Sequence, residues 1–190
     1  GVFDTFQREK LVNAINFFVR NTKHCHTLKL FKLLNFLDFE HFRATGSSVT
    51  GLKYSAWPMG PVPRDLYREI QGGGRPDLKN SVAIVPVTDD LTDKLLRRDL
   101  KATAPFDEQY FSRREMNIMK MLAEVFYDVE GTDMSAVSHA RRLPWGKVYQ
   151  GGKGSGDEIP YELTRASEPI LSKIETLPEE DYEYRREAFL

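Results

Sequence analysis

Four groupings hold side chains capable of chemistry. His24-Cys25-His26 places three metal-ligating types in consecutive positions, and His41 adds a further imidazole. A zinc site takes four ligands, usually as two separated pairs, and no second Cys/His pair exists here. The cluster therefore reads as a polar loop between helices with a half-buried cysteine, and no metal is expected. Gly146 to Lys153 has the glycines and lysine of a phosphate-cradling loop. That loop needs Lys directly after its second glycine and then Ser or Thr, whereas Gly152 intervenes and Gly154 follows Lys153. Asp133, Ser138 and His139 are the types of a nucleophilic triad. Neighbours on a helix point about 100° apart, so Ser138 and His139 do not face each other. The paired carboxylates Asp89-Asp90 and Glu179-Glu180-Asp181 sit among polar residues, where nothing raises a pKa. No catalytic residue and no cofactor are expected.

Basic clusters form a fifth grouping: Arg64/Arg68, Arg97/Arg98/Lys101, Arg113/Arg114 and Arg141/Arg142. Asp65, Glu69, Asp99 and Glu115 are interleaved with them, so the footprint that phosphate binding requires is weak. A nucleic-acid-binding regulatory module of winged-helix-like type stays open as the alternative function. Net charge is −1, unevenly spread. Residues 156–190 contain 10 acidic and 4 basic side chains, which leaves the rest of the chain mildly basic. The single cysteine excludes an internal disulfide, and no apolar run reaches the ~20 residues of a membrane span. A cytoplasmic protein is expected.

The elements that position these residues follow from periodicity. A composition of 41% hydrophobic and 12% aromatic residues supports a true core. Phe6, Leu11, Ile15, Phe18 and Val19 predict a first helix that fades near Asn21, with Asp4 and Gln7 as its capping box. Thr27 is the expected cap of a second helix, Leu28 to about Arg43, apolar nearly all round and hence central and buried. Its one polar stripe is Lys29, Lys32, Asn35, Asp38 and His41, which must meet solvent, an internal network or a partner. Gly51 to Ala56 reads as extended, and Pro63 opens a short helix ending at Ile70. Ser81–Val87 and Leu100–Phe106 are strand candidates, with a short helix between them over Thr88–Arg98. Ser112 and Glu115 form a capping box for a long helix. Further short helices are expected at Asp133–Arg141 and Glu168–Ile174, with the acidic remainder loosely held. The fold class is α+β: a mostly helical domain around a central buried helix, with a small antiparallel β-sheet.

Several blocks together resemble a known family. They are Leu33-Leu34-Asn35-Phe36 after Lys29 and Lys32, Thr45-Gly46, Tyr54 to Val62 with Trp57-Pro58 and Gly60-Pro61, and Leu66-Tyr67. His139 and Pro144-Trp145 match a later feature. The pattern is similar to the Panacea domain, the SocA-like antitoxin domain of bacterial and phage toxin–antitoxin systems, with Asn35 where a tyrosine is often found. The resemblance implies a non-catalytic antitoxin that neutralises a cognate toxin protein by direct contact. It places that domain at residues 1–163 and an acidic C-terminal extension at 164–190. Lys32, Asn35, Asp38, Tyr54 and Tyr67 are the expected partner-binding residues, the stripe being read as exposed. On that reading Lys32→Glu weakens partner binding without lowering the melting temperature. Trp57, Pro58, Gly60, Pro61, Pro63, His139 and Trp145 are expected to be structural, with Trp57 under the central helix and Trp57–Pro58 a candidate cis bond.

Overall fold

A computed structural model describes residues 2–138, 143–171 and 174–190. Helix α1 (Val2–Asn21) leads into α2 (Thr27–Thr45), whose side chains are buried on nearly every face. The expected cap is corrected. His26 takes the N-cap position without a side-chain bond, and the Thr27 hydroxyl instead donates to the Arg98 carbonyl at 3.3 Å. At the other end Gly46 adopts φ 84°, and its N–H closes the helix on the Phe42 carbonyl at 2.8 Å.

The proline-rich stretch is a hairpin. β1 (Tyr54–Trp57) pairs antiparallel with β2 (Gly60–Pro63), and Trp57 faces Gly60, so Pro58 and Met59 make a two-residue turn. Gly60 sits at φ 122°, where a side chain would be strained. No peptide bond among the described residues is cis, which overturns the expectation for Trp57–Pro58. The outer edge of β1 is also covered. Gly156 N–H donates to Ala56 O at 2.7 Å, and Ile159 N–H donates to Tyr54 O at 2.8 Å.

Pro63 ends β2 and takes the N-cap of α3 (Arg64–Gln71), which therefore starts and ends one residue later than expected. A one-turn helix, α4 (Pro76–Ser81), precedes a second hairpin of β3 (Val82–Thr88) and β4 (Leu95–Ala102). The helix expected over 88–98 does not form. The Asp89 carboxylate accepts the Leu91 and Thr92 N–H groups, an Asx turn that reverses the chain and starts β4 five residues before the expected strand. α5 (Arg113–Val125) carries the expected capping box in full, with Ser112 and Glu115 exchanging side-chain-to-backbone bonds.

α6 (Gly131–Ser138) and α7 (Pro144–Tyr149) follow. A 3₁₀ turn, Tyr161–Ala166, leads toward α8 (Glu179–Phe189), which occupies the segment expected to be loosely held, whereas no helix forms among the described residues of 168–174. Three acidic residues stand in the first turn of α8, favourably placed for the helix dipole. Its Tyr182 is buried edge-on against Phe42, and Phe189 packs on Phe42 and Tyr161. Helices α1, α5, α6 and α8 thus surround α2, beside two separate two-stranded sheets, an α+β architecture.

Candidate functional site

The polar stripe of α2 is where sequence reading placed the contact surface. Lys29, Lys32, Asp38 and His41 are at most 2% exposed, and Asn35 is 7% exposed. The expectation that the stripe faces outward is therefore corrected: the surrounding helices and the β1–β2 hairpin close over it.

The four ionisable members each meet a backbone segment that α2 must hold. Lys29 Nζ donates to the Lys23 and Tyr127 carbonyls at 2.8 and 3.3 Å. Lys32 Nζ donates to Met59 O at 2.8 Å, so a buried ammonium grips the turn of the proline hairpin. Asp38 accepts four bonds. Val49 N–H and Thr50 N–H reach Oδ1 at 2.9 and 2.8 Å, and the Thr50 and Tyr54 hydroxyls reach Oδ2 at 2.5 and 2.7 Å. His41 Nδ1 lies 2.5 Å from the Ser47 carbonyl, which fixes the proton on that nitrogen.

Burial shifts all of these groups toward their neutral forms. Lys32 falls to about 8 and His41 to about 4, both chiefly through desolvation. Desolvation lifts Asp38 to about 6, although each of its donors pulls the other way. Tyr54, fully buried beside that carboxylate, is pushed well above the usual phenol range. The stripe is a row of brackets rather than a face.

Of the five expected partner-binding residues, Lys32, Asp38 and Tyr54 are thus enclosed, because their polar atoms are needed to close the 47–63 segment onto α2. Tyr67 is half-buried and stands edge-on to Trp57, with ring centroids 5.0 Å apart. Trp57 is itself half-buried, with its carbonyl accepting Trp145 Nε1–H at 2.8 Å. Pro61 and Pro63 are buried, whereas Pro58 and Met59 project from the turn. His139 lies outside the described residues.

Asn35 lines a cavity of about 20 Å³, room for one water, with Phe36, Phe39 and Trp145 among its walls. The same space contains Glu40 and Arg43. Glu40 Oε1 accepts Ile170 N–H at 2.8 Å, while its buried Oε2 makes no hydrogen bond, 3.5 Å from Arg43 Nε. Nothing in the sequence flagged this pair, since an acid and a base three residues apart on a helix ordinarily read as a surface bridge.

His24, Cys25 and His26 line a groove beside β4 with Asp99 and Glu130. Cys25 is buried and its thiol is raised to about 11 by desolvation. No group of three or more metal-ligating side chains with the geometry to hold an ion occurs among the described residues. Two of the arginines weighed for nucleic acid are already engaged, Arg64 with the Gly156 carbonyl and Arg97 with Asp99.

A family model described as Antitoxin SocA-like, Panacea domain, matches residues 30–146, more than half of the chain. The chain belongs to this family. No curated protein and no solved structure matches it. The Panacea match takes in most of α2, both hairpins and α5, and stops one residue beyond Trp145. α1 and α8, which pack against α2 from outside the match, enlarge the core around the Panacea region. Among the described residues no helix is long and apolar enough to cross a membrane.

Proposed function

We propose that this protein is the antitoxin of a toxin–antitoxin pair and neutralises a toxin protein by binding it, without catalysing a reaction. The observation that carries the reading is the antitoxin-family match across the central helix and the hairpin it grips. The fate of the polar stripe is consistent with it. Lys29, Lys32, Asp38 and His41 on the polar stripe of α2 are spent on holding backbone. These bonds fix the surrounding segments to α2, and a pre-ordered surface loses little entropy when it binds.

The test is growth rescue. The product of the neighbouring gene is expressed alone and then together with this chain. Toxicity of the neighbour alone, relieved by a complex that co-purifies, is the expected result. A harmless neighbour that does not co-purify overturns the proposal.

A further inference from the structure

A cleft of about 660 Å³ opens where α1, α5 and the C-terminal segment meet. Its cations come from three separate parts of the chain: Lys10, Arg113 with Arg114, and Arg185. Arg113 and Arg114 have no ion-pair or hydrogen-bond partner among the described residues, and neither residue is buried. Arg185 makes one bond, to the Ser47 hydroxyl at 3.1 Å, and keeps other donors free. Lys10 is neutralised by Glu115, a contact that pins α1 to α5 and fixes the shape of the wall. At the N-terminus of α5 the capping box takes up the Ser112 and Glu115 N–H groups, and the cations of the cleft are these side chains.

Apolar side chains form part of the floor of this otherwise polar cleft. Ile118 is buried and Met121 is half-buried, with Ile174 half-buried on the facing segment. Glu175 adds a carboxylate at the rim. Unpaired guanidinium groups beside apolar side chains match the composition of protein–protein contact sites, where Arg and Met are enriched and Arg is a frequent hot spot. A nucleic acid fits less well: its continuous phosphates would meet Glu175 and leave the apolar side chains unused.

We propose that this cleft receives an acidic segment of the partner protein that also presents an apolar side chain to Met121 and Ile174. This rests on the antitoxin reading and assigns it a surface. The wall built by α8 and Ile174 lies beyond the family match, so the cleft is shaped by this chain's own C-terminal segment as much as by the Panacea region.

The experiment compares the wild-type chain with an Arg113→Glu/Arg114→Glu double variant. The probes are the co-expressed toxin, a fluorescein-labelled 12-residue peptide of glutamate and leucine, and a 12-nucleotide single-stranded RNA. Binding of the latter two is read by fluorescence anisotropy at 50 and 200 mM salt. The wild-type chain is expected to bind the peptide more tightly than the RNA, and the double variant at least tenfold more weakly. The variant's melting temperature should stay unchanged, because neither arginine has a partner to lose. It should also fail to co-purify with toxin. If the charge reversal lowers the melting temperature, the neutral Arg113→Gln/Arg114→Gln pair takes its place and must show the same loss. Equal peptide binding by variant and wild type overturns the inference, as does tighter binding of the RNA. A double variant that still neutralises the toxin overturns the surface while the antitoxin reading stands. A toxin that even the wild-type chain fails to bind overturns that reading, and peptide binding then decides the cleft by itself.

Discussion

Lys32→Met should leave the protein at least as stable at neutral pH, although it removes a hydrogen bond. Burial holds the ammonium at about 8 instead of 10.5. At about 1.4 kcal/mol for each tenfold change in proton affinity, carrying the charge at pH 7 costs about 3 kcal/mol. Lys32 is 1% exposed, so solvent screening does not dilute that figure. The bond to Met59 O returns about 1.5–3 kcal/mol, as hydrogen bonds to charged groups do. Methionine fills the same slot, and the freed carbonyl belongs to an exposed turn residue that water can reach. The net expectation at pH 7 is between no change and a gain of about 1.5 kcal/mol, or up to roughly 6 °C in melting temperature for a chain of this size. The pH dependence has a definite sign. The folded pKa lies below the unfolded one, so between about 8 and 10.5 the unfolded state binds more protons, and wild-type stability rises with pH relative to the variant. Urea unfolding followed by tryptophan fluorescence at pH 7 and pH 10 measures both terms. A variant more than about 1 kcal/mol less stable at pH 7, or a difference that does not change with pH, would refute the assignment of Lys32 as a desolvated, destabilising charge.

Two further perturbations test the shell around α2. Gly46→Ala forces a side chain onto φ 84° and places its Cβ 2.4 Å from the Tyr182 carbonyl. The left-handed conformation alone should cost about 1–2 kcal/mol, and limited proteolysis should show α8 cut first; an unchanged cleavage rate would contradict its docking on the α2 terminus. His41, held at about 4, should give an imidazole NMR signal that stays neutral down to pH 5. Its folded pKa lies below the unfolded 6.5, so its contribution to stability is lost as pH falls from 6.5 through 4, and a midpoint near 6.5 in the folded protein would disprove its enclosure.

The sequence made some elements plain because a local rule was sufficient. Ser112 and Glu115 announced α5, since a capping box acts over three residues and needs no tertiary partner. α2 was legible from its near-continuous apolar surface, and Pro58 with Gly60 marked the corner that became the β1–β2 turn. Thr88–Arg98 misled because leucines and charges at mixed spacing fit a short helix as well as a strand. The decision fell to the Asp89 side chain, whose Asx turn competes with helix for the same N–H groups. The acidic tail misled for the opposite reason. Its charges suggested solvation, but Tyr182 and Phe189 reach aromatic partners on α2 and in the 3₁₀ turn, which sequence distance concealed.

The stripe on α2 shows most clearly where sequence reading stops. Five polar residues at a spacing of three define a direction on a helix, and that much was readable. What lies in that direction depends on where the chain returns, and apart from the Thr50 and Tyr54 hydroxyls the returning groups are main-chain atoms without a sequence signature: the Met59, Lys23, Tyr127 and Ser47 carbonyls and the Val49 and Thr50 amides. Arg113 and Arg114 follow the converse logic. They sit in the same capping box that was read as purely structural, yet the box consumes only Ser112 and Glu115. A polar group is available to a partner when the fold leaves it unspent, and which groups are spent is decided by backbone that comes from elsewhere. The guanidinium groups of Arg113 and Arg114, beside Met121 and Ile174, are left unspent in this way, which is why the proposed contact surface rests on them.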